Sequence, residues 1–174
     1  MACNNQTISG IAVPCQGSTG GIQVAYITNY ADDVFTYDDA TKEVTGIKSG
    51  VTFSAFNFRR GSSSMSMART IDNANGVNFV TTTVSLAFAR QDTTKRIEMN
   101  ALALSDLTAI VKDNNGMYYC LGMSQPVTVS NETSETGTAA SDGNRYVLEL
   151  QDVHTEIPPF LSSGATAQIV TNES

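Results

Sequence analysis

Residues 62–70 and 77–90 alternate between apolar and small polar side chains with a period of two. This period is typical of a β-strand, whose successive side chains point to opposite faces. The turn-forming sequence DNANG at residues 72–76 separates the two stretches, which predicts a long hairpin. One face of this hairpin is apolar. The other carries small, uncharged side chains: Ser64, Ser66, Ala68, Thr81, Thr83 and Ser85.

This small-residue face differs from an ordinary solvent-exposed strand, which carries more lysine and glutamate. Threonine favours strands in any case, so strand propensity is a second explanation of the same pattern. Both explanations stay open at the level of the sequence.

A helix is predicted over about residues 92–104. Asp92 or Thr93 supplies a side-chain oxygen that can accept from the free amides of the first turn. Ile97, Ala101 and Leu104 follow at helical spacing and are expected to form its buried face. Met99, Leu102 and Ala103 widen that face, so much of the helix surface is expected to be covered.

A β-hairpin is predicted directly after the helix, with strands at residues 107–111 and 117–121. The sequence DNNG at residues 113–116 separates them. Asn-Gly tolerates the positive φ angles of a two-residue hairpin turn, which is the turn we expect here.

The remaining strand patterns complete a mainly β chain. They lie at residues 22–27, 35–37, 44–47, 51–58 and 145–153, with a short strand at 127–129. The expected fold is a β-sandwich or barrel with one flanking α-helix. One domain is expected over residues 21–159, with a C-terminal arm at 160–174 and an N-terminal arm at 1–20 that is ordered only by a partner.

Residues 51–58 carry apolar side chains on both faces of the predicted strand, and Arg59-Arg60 follow it. A strand of this kind is covered on both sides, by its own core and by something else. A contact with a neighbouring chain is therefore predicted for Phe53, Phe56, Phe58, Arg59 and Arg60. A solvated loop tip is the alternative for the arginine pair.

The chain is acidic, with a net charge of -7, and only 16% of its residues are charged. Acidity argues against a protein that grips nucleic acid, because it repels phosphate at long range. The same repulsion suits a surface past which DNA slides, although acidity also simply keeps a protein soluble.

The cysteines Cys3, Cys15 and Cys120 show no CxxC spacing, so neither a zinc site nor a disulfide framework is indicated. A Cys3–Cys15 bridge stays open. The sequence has no apolar run of membrane-spanning length and no signal-peptide pattern at its start, which predicts synthesis in the cytoplasm without membrane insertion.

Catalytic signatures are not evident in the sequence. His154 is the only histidine, and phosphate-binding glycine loops are missing. Four acids between residues 32 and 39 lack the alternating order of a calcium loop. Glu149 and Glu156 are carboxylates with no context that singles them out. We therefore expect no enzyme activity, no metal and no cofactor.

A family resemblance rests on three segments. They are GGIQVAYITNY, then KRIEMNALALSDLTAIVKDNNGMYYCLGM, then TGTAASDGNRYVLELQ followed by EIPPFL. From about Gly20 to Pro159 the chain resembles the tail tube (major tail) proteins of long-tailed bacteriophages. Residues 1–19 and 161–174 lie outside the resemblance, and Arg59-Arg60 depart from the low-charge pattern around them.

The resemblance implies a structural virion protein whose subunits form six-fold rings. Stacked rings would enclose a channel for the genome, with the inner sheets joined into one barrel around the lumen. The implied partners are further copies of the chain and other tail proteins, and DNA would pass without specific binding. On this reading the small-residue face of the 62–90 hairpin lines the lumen. Residues 1–19 and the loop 29–50 are expected to contact stacked rings and to be held only loosely by their own domain.

Two alternatives stay open. One is a β-sandwich binding or adhesin module on a tail or cell surface, with Tyr30, Phe35 and Tyr37 as exposed aromatic candidates. The other is the inner tube of a contractile injection system.

Overall fold

The computed structural model describes residues 10–12, 17–139 and 141–171. The described part of the chain contains ten strands and one α-helix. They are β1 (Ile22–Asn29), β2 (Phe35–Asp38), β3 (Glu43–Ile47), β4 (Ser54–Asn57), β5 (Ser64–Asp72), β6 (Val77–Ala89), α1 (Thr93–Ala103), β7 (Leu107–Asp113), β8 (Tyr118–Leu121), β9 (Thr128–Glu135) and β10 (Arg145–His154). The predicted mainly β fold with one flanking helix is confirmed.

Two four-stranded antiparallel sheets form the sandwich. The first has the strand order β4-β1-β7-β8, and the second has the order β5-β6-β10-β9. The main core lies between them and is built from the inward-facing residues of both sheets, including Ala25, Val111, Leu86 and Leu148. Burying this apolar surface is the chief stabilising contribution to the fold.

A third layer covers the other side of the first sheet. The two-stranded sheet β2-β3 and the C-terminal segment enclose a second core there. Its buried members are Val34, Val44, Ile47, Phe53, Ile110, Cys120, Leu161 and Ala165. Because β7 lies between the two cores, its residues 107–111 are all buried.

The predicted C-terminal arm is wrong over residues 160–171, which pack against the domain. Leu161 and Ala165 are buried, and the Leu161 amide donates to the Tyr118 carbonyl at 2.9 Å. The Ile47 amide donates to Gln168 Oε1 at 2.8 Å. The prediction that the loop 29–50 is held only loosely by its own domain is also wrong, because Val34, Val44 and Ile47 in this loop are core residues.

The N-terminal arm is described at residues 10–12 and 17–20, which are exposed. The Thr19 amide donates to Asn115 Oδ1 at 2.8 Å, and Asn115 Nδ2 donates back to the Thr19 carbonyl at 3.0 Å. This segment is thereby held to the β7–β8 turn. Cys3 and Cys15, and with them the open question of their pairing, lie outside the described residues.

The helix begins where predicted, with Asp92 accepting from the Lys95 amide. Its predicted buried face is wrong. Ile97, Ala101 and Leu104, on which that face was centred, are exposed, whereas Met99 and Leu102, which were expected to widen it, are buried. The helix therefore covers the main core with a narrow stripe and presents a second apolar stripe to solvent.

The β7–β8 turn contains three residues between the paired ends of its strands, not the two predicted. Asp113 pairs with Met117, whose carbonyl accepts from the Asp113 amide at 3.0 Å. Gly116 takes the positive φ of 86° at the last loop position, as expected for a type I turn followed by a bulge.

Two predicted strand lengths also change. Strand β4 covers only residues 54–57 of the predicted 51–58, and β9 extends to residue 135 where a strand of three residues was predicted. No helix among the described residues is long and apolar enough to span a membrane.

Candidate channel-lining face and subunit contacts

The outer face of the second sheet includes three adjacent transverse rows of mostly short side chains. Residues in register point to the same face, so each row can be followed across the strands. The three rows are Ser64-Ser85-Glu149-Asn131, Ser66-Thr83-Gln151-Thr128 and Ala68-Thr81-Val153. We call these residues the small-residue face. It contains all six residues predicted to line a lumen, and the structure brings them together on one surface.

The opposite side of the same sheet is the core, as the alternation predicted. Val80, Val84, Leu86 and Phe88 are buried, whereas Thr81, Thr83 and Ser85 are half-buried. The small-residue face is thus an outward surface, and no other layer of the described chain covers it.

Its charge is low and negative. Glu149 is the only ionisable residue in the three rows, and the sequence prediction left it and Gln151 out. The sequence could have placed both on this face, since they alternate with the apolar Leu148 and Leu150 on β10. On the same face of the sheet, the nearest cation in the register is Arg145, opposite Ala89 at the end of the sheet. Its Nε lies 3.3 Å from Glu135 Oε2, so a carboxylate offsets its charge.

Both outer strands of this sheet, β5 and β9, have an open edge. Within the described residues β5 pairs only with β6, and β9 pairs only with β10. Neither strand contains a lysine, the residue that commonly blocks exposed edges. These edges offer unpaired backbone donors and acceptors to another strand.

The phenylalanines predicted as inter-subunit contacts divide into two groups. Phe53 is fully buried in the second core, so the predicted contact with a neighbouring chain is replaced by packing within its own chain. Phe56 and Phe58 are half-buried, with ring centroids 5.7 Å and 5.3 Å from that of Phe88. They retain partial exposure at the side of the sandwich.

Arg59 and Arg60 lie exposed beyond the end of β4. The Phe58 amide donates to the Gln23 carbonyl at 3.1 Å, which places the pair near the first residues of β1. Asp32 and Asp33 follow the last residue of β1. The strand rises by roughly 25 Å between its ends, so the basic and acidic pairs lie at opposite poles of the domain.

None of these four charges is neutralised by an ion pair within the described residues, where the ion pairs are Lys42–Asp39, Lys95–Asp92 and Arg145–Glu135. Tyr30 Oη donates to Asp32 at 3.2 Å. The backbone of Lys48 lies beside this acidic segment, since its amide donates to the Val34 carbonyl at 2.9 Å.

Asp152 is a buried carboxylate that the sequence analysis did not single out. It lies on the inward side of β10 beyond Leu150 and is paired in register with the buried Thr82. Burial raises the pKa of Asp152 above its ordinary value, and the nearby His154 and the amide of Gly122 partly oppose this shift. Raised pKa values occur at catalytic sites. The other buried polar residues described are Ser63, Thr82 and Thr108, which carry hydroxyl groups, so Asp152 is the one buried ionisable side chain in that set.

Replacing Asp152 by Asn is expected to stabilise the fold at pH 7 and to have little effect near pH 3. The raised pKa means that the folded state tolerates the protonated Asp152 better than the charged form. The free energy of unfolding therefore falls as the pH rises through that pKa, and the uncharged Asn avoids this loss. Urea unfolding of both proteins at several pH values measures the difference. A variant that loses stability equally at both pH values would contradict this account.

An open cleft of about 830 Å³ lies between the β2–β3 hairpin and the β5–β6 hairpin. Its cations already have partners in the chain. Arg69 Nη1 donates to Asn78 Oδ1 at 2.7 Å, and Lys42 Nζ lies 3.1 Å from Asp39 Oδ1. Lys42 is thus paired with a carboxylate, whereas the described partners of Arg69 are the neutral oxygens of Asn78 and of the Thr155 carbonyl.

The acidic loop residues act within their own turn. Asp38 Oδ1 accepts from the Ala40 amide at 2.9 Å, and Asp39 pairs with Lys42. In the described part of the chain, no group of three or more His, Cys, Asp and Glu side chains is arranged to hold a metal ion.

Comparison of the chain with protein-family models and with curated proteins found no match.

Proposed function

We propose that this protein is the structural subunit of a bacteriophage tail tube, assembling into rings that stack around a channel for the genome. The observation that carries the proposal is the small-residue face. It is an outward, uncovered sheet surface with short side chains, one carboxylate and no cation in its three rows. A wall of this kind neither protrudes far into a bore nor attracts phosphate.

The strand directions support closure into a ring. Successive neighbours in the sheet β5-β6-β10-β9 are antiparallel, so β5 and β9 run in opposite directions. A copy related by rotation about an axis parallel to the sheet would bring its β9 antiparallel to β5. Repeating this contact pairs both open edges of every subunit, which removes the exposed edges.

The acidity of the chain supports the same function. A net charge of -7 on each subunit repels the DNA backbone. In a channel that repulsion lowers friction, and DNA then passes without specific binding. Localisation in the virion tail and contacts with other tail proteins follow from this proposal.

Stacking of rings is proposed to use the two charged poles. Arg59 and Arg60 of one subunit would face Asp32 and Asp33 of a subunit in the next ring. Such a contact joins unlike surfaces head to tail, so it extends without limit along the tube axis.

The charge reversal Arg59→Glu/Arg60→Glu is expected to shorten tubes strongly while leaving single rings intact, because it places like charges at the stacking contact. Tube length is measured by negative-stain microscopy at low and high salt, since salt screens exposed charges. The matched variant Arg59→Lys/Arg60→Lys keeps the charge and should retain long tubes. Normal tube length in the charge-reversed variant would exclude the arginines from stacking.

The alternative of a binding module has less support from the aromatic residues proposed for it. Phe35 and Tyr37 pack against the second core and are half-buried, so they stabilise the third layer. The inner tube of a contractile injection system shares the required face and edges and is the remaining alternative.

Negative-stain microscopy and light scattering of the purified protein test the proposal. Rings or tubes are the expected result, in equilibrium with subunits at low concentration. A protein that stays monomeric at millimolar concentration would overturn it.

A further inference from the structure

The exposed side of α1 carries an apolar stripe that its own chain does not cover. Ile97 is 57% exposed and Leu104 is 90% exposed, and the exposed Ala101 lies between them. Their spacing of four and three residues places them along one side of the helix. Met99 and Leu102, on the other side, already fill the main core. The helix thus has two apolar sides and only one covering layer.

The position of α1 shows which surface of a neighbour could cover the stripe. The helix packs against β9, and Glu98, Ala101 and Ser105 line a small cleft together with Phe56 of β4. It therefore closes the side of the sandwich that ends in the open edge of β9. Strand β5 forms the opposite edge of the same sheet.

Strand β5 carries incompletely buried apolar side chains on its core-facing side. Met65 and Met67 are half-buried, and Ile71 is 59% exposed. They are in register with Val84, Thr82 and Asn78, so they point toward the inner side of the sheet at its open edge. This is the side on which a helix attached to a neighbouring β9 would lie.

We propose that the stripe Ile97-Ala101-Leu104 docks onto the β5 edge of a second copy of this chain, against Met65 and Met67. The inference rests on the proposed ring. When β9 of one subunit pairs antiparallel with β5 of the next, the helix α1 attached to β9 lies next to that β5. The contact joins two different surfaces, so each subunit uses its helix toward one neighbour and its β5 toward the other.

The double variant Ile97→Glu/Leu104→Glu tests the contact. Two carboxylates in a desolvated apolar contact should weaken self-association by on the order of 100-fold, while circular dichroism and thermal unfolding of the subunit stay close to wild type. The control Ile157→Glu/Val170→Glu changes two other exposed apolar residues, 58% and 56% exposed, that lie outside α1 and both edge strands. It should assemble like wild type. Sedimentation velocity over a concentration series measures all three proteins.

A mixing experiment identifies the occupant of the stripe. Met67→Glu is expected to impair assembly from the partner side. Mixed with the helix variant, it leaves one intact contact per pair, so dimers should appear at concentrations where neither variant self-associates. Absence of dimers in the mixture would overturn β5 as the occupant.

The outcomes separate the two proposals. If wild type and the helix variant assemble equally, the docking inference fails and the proposed tube stands. If wild type itself never assembles, both fail.

Discussion

The double variant Thr83→Lys/Ser85→Lys is expected to assemble into tubes that bind DNA, whereas wild-type tubes do not bind it. Thr83 and Ser85 are half-buried neighbours on the small-residue face, and two added cations per subunit recur around every ring. Retention should fall by about 1000-fold or more between roughly 50 and 200 mM salt if several phosphates are contacted at once. Tubes assembled with short labelled duplexes and then sedimented measure the retained DNA.

The control for this variant adds the same charge on the far side of the domain. Ser163→Lys/Ala167→Lys changes two exposed residues of the C-terminal segment, which forms part of the third layer. These tubes should leave DNA in the supernatant, as wild type does. Equal retention by both lysine variants would show that the small-residue face has no special relation to the channel.

Phe53→Ala is expected to lower the free energy of unfolding of the subunit by about 3–5 kcal/mol. Phe53 is fully buried in the second core, and truncation of such a side chain loses its transfer free energy and leaves a cavity. Urea unfolding of dilute, monomeric protein measures the change.

Phe56→Ala provides the comparison, because Phe56 is half-buried and retains one edge contact with Phe88. Its loss of stability should be smaller. A Phe53→Ala subunit within about 0.5 kcal/mol of wild type, the range of ordinary surface substitutions, would return Phe53 to the predicted role in a contact between chains.

The features that the sequence predicted well are local ones. The alternation in β5 and β6 identified both faces of their hairpin, because a period of two leaves little freedom once one face is apolar. Asp92 marked the start of α1 through a hydrogen bond within three residues of it. Strand β10 was found from the same alternation.

The features that were missed depend on contacts distant in the chain. The segment 160–171 mixes apolar residues with Ser, Thr and Gly, and Leu161 and Ala165 became core residues only because β3 and β8 offer them pairing and space. Helical spacing cannot distinguish a stripe that faces its own core from one that is left uncovered, so Ile97 and Leu104 were misassigned. Strand β9 was predicted short because its polar residues show no alternation, and its pairing with β10 sets its length.

A cryo-electron microscopy reconstruction of the assembled protein tests the central claim most directly, because it shows which sheet surface faces the axis. The account predicts Ser64, Ser66, Ala68, Thr81, Thr83 and Ser85 on the wall of the lumen, with β5 paired to β9 of the next subunit. A tube with Thr81, Thr83 and Ser85 on its outer surface would contradict it.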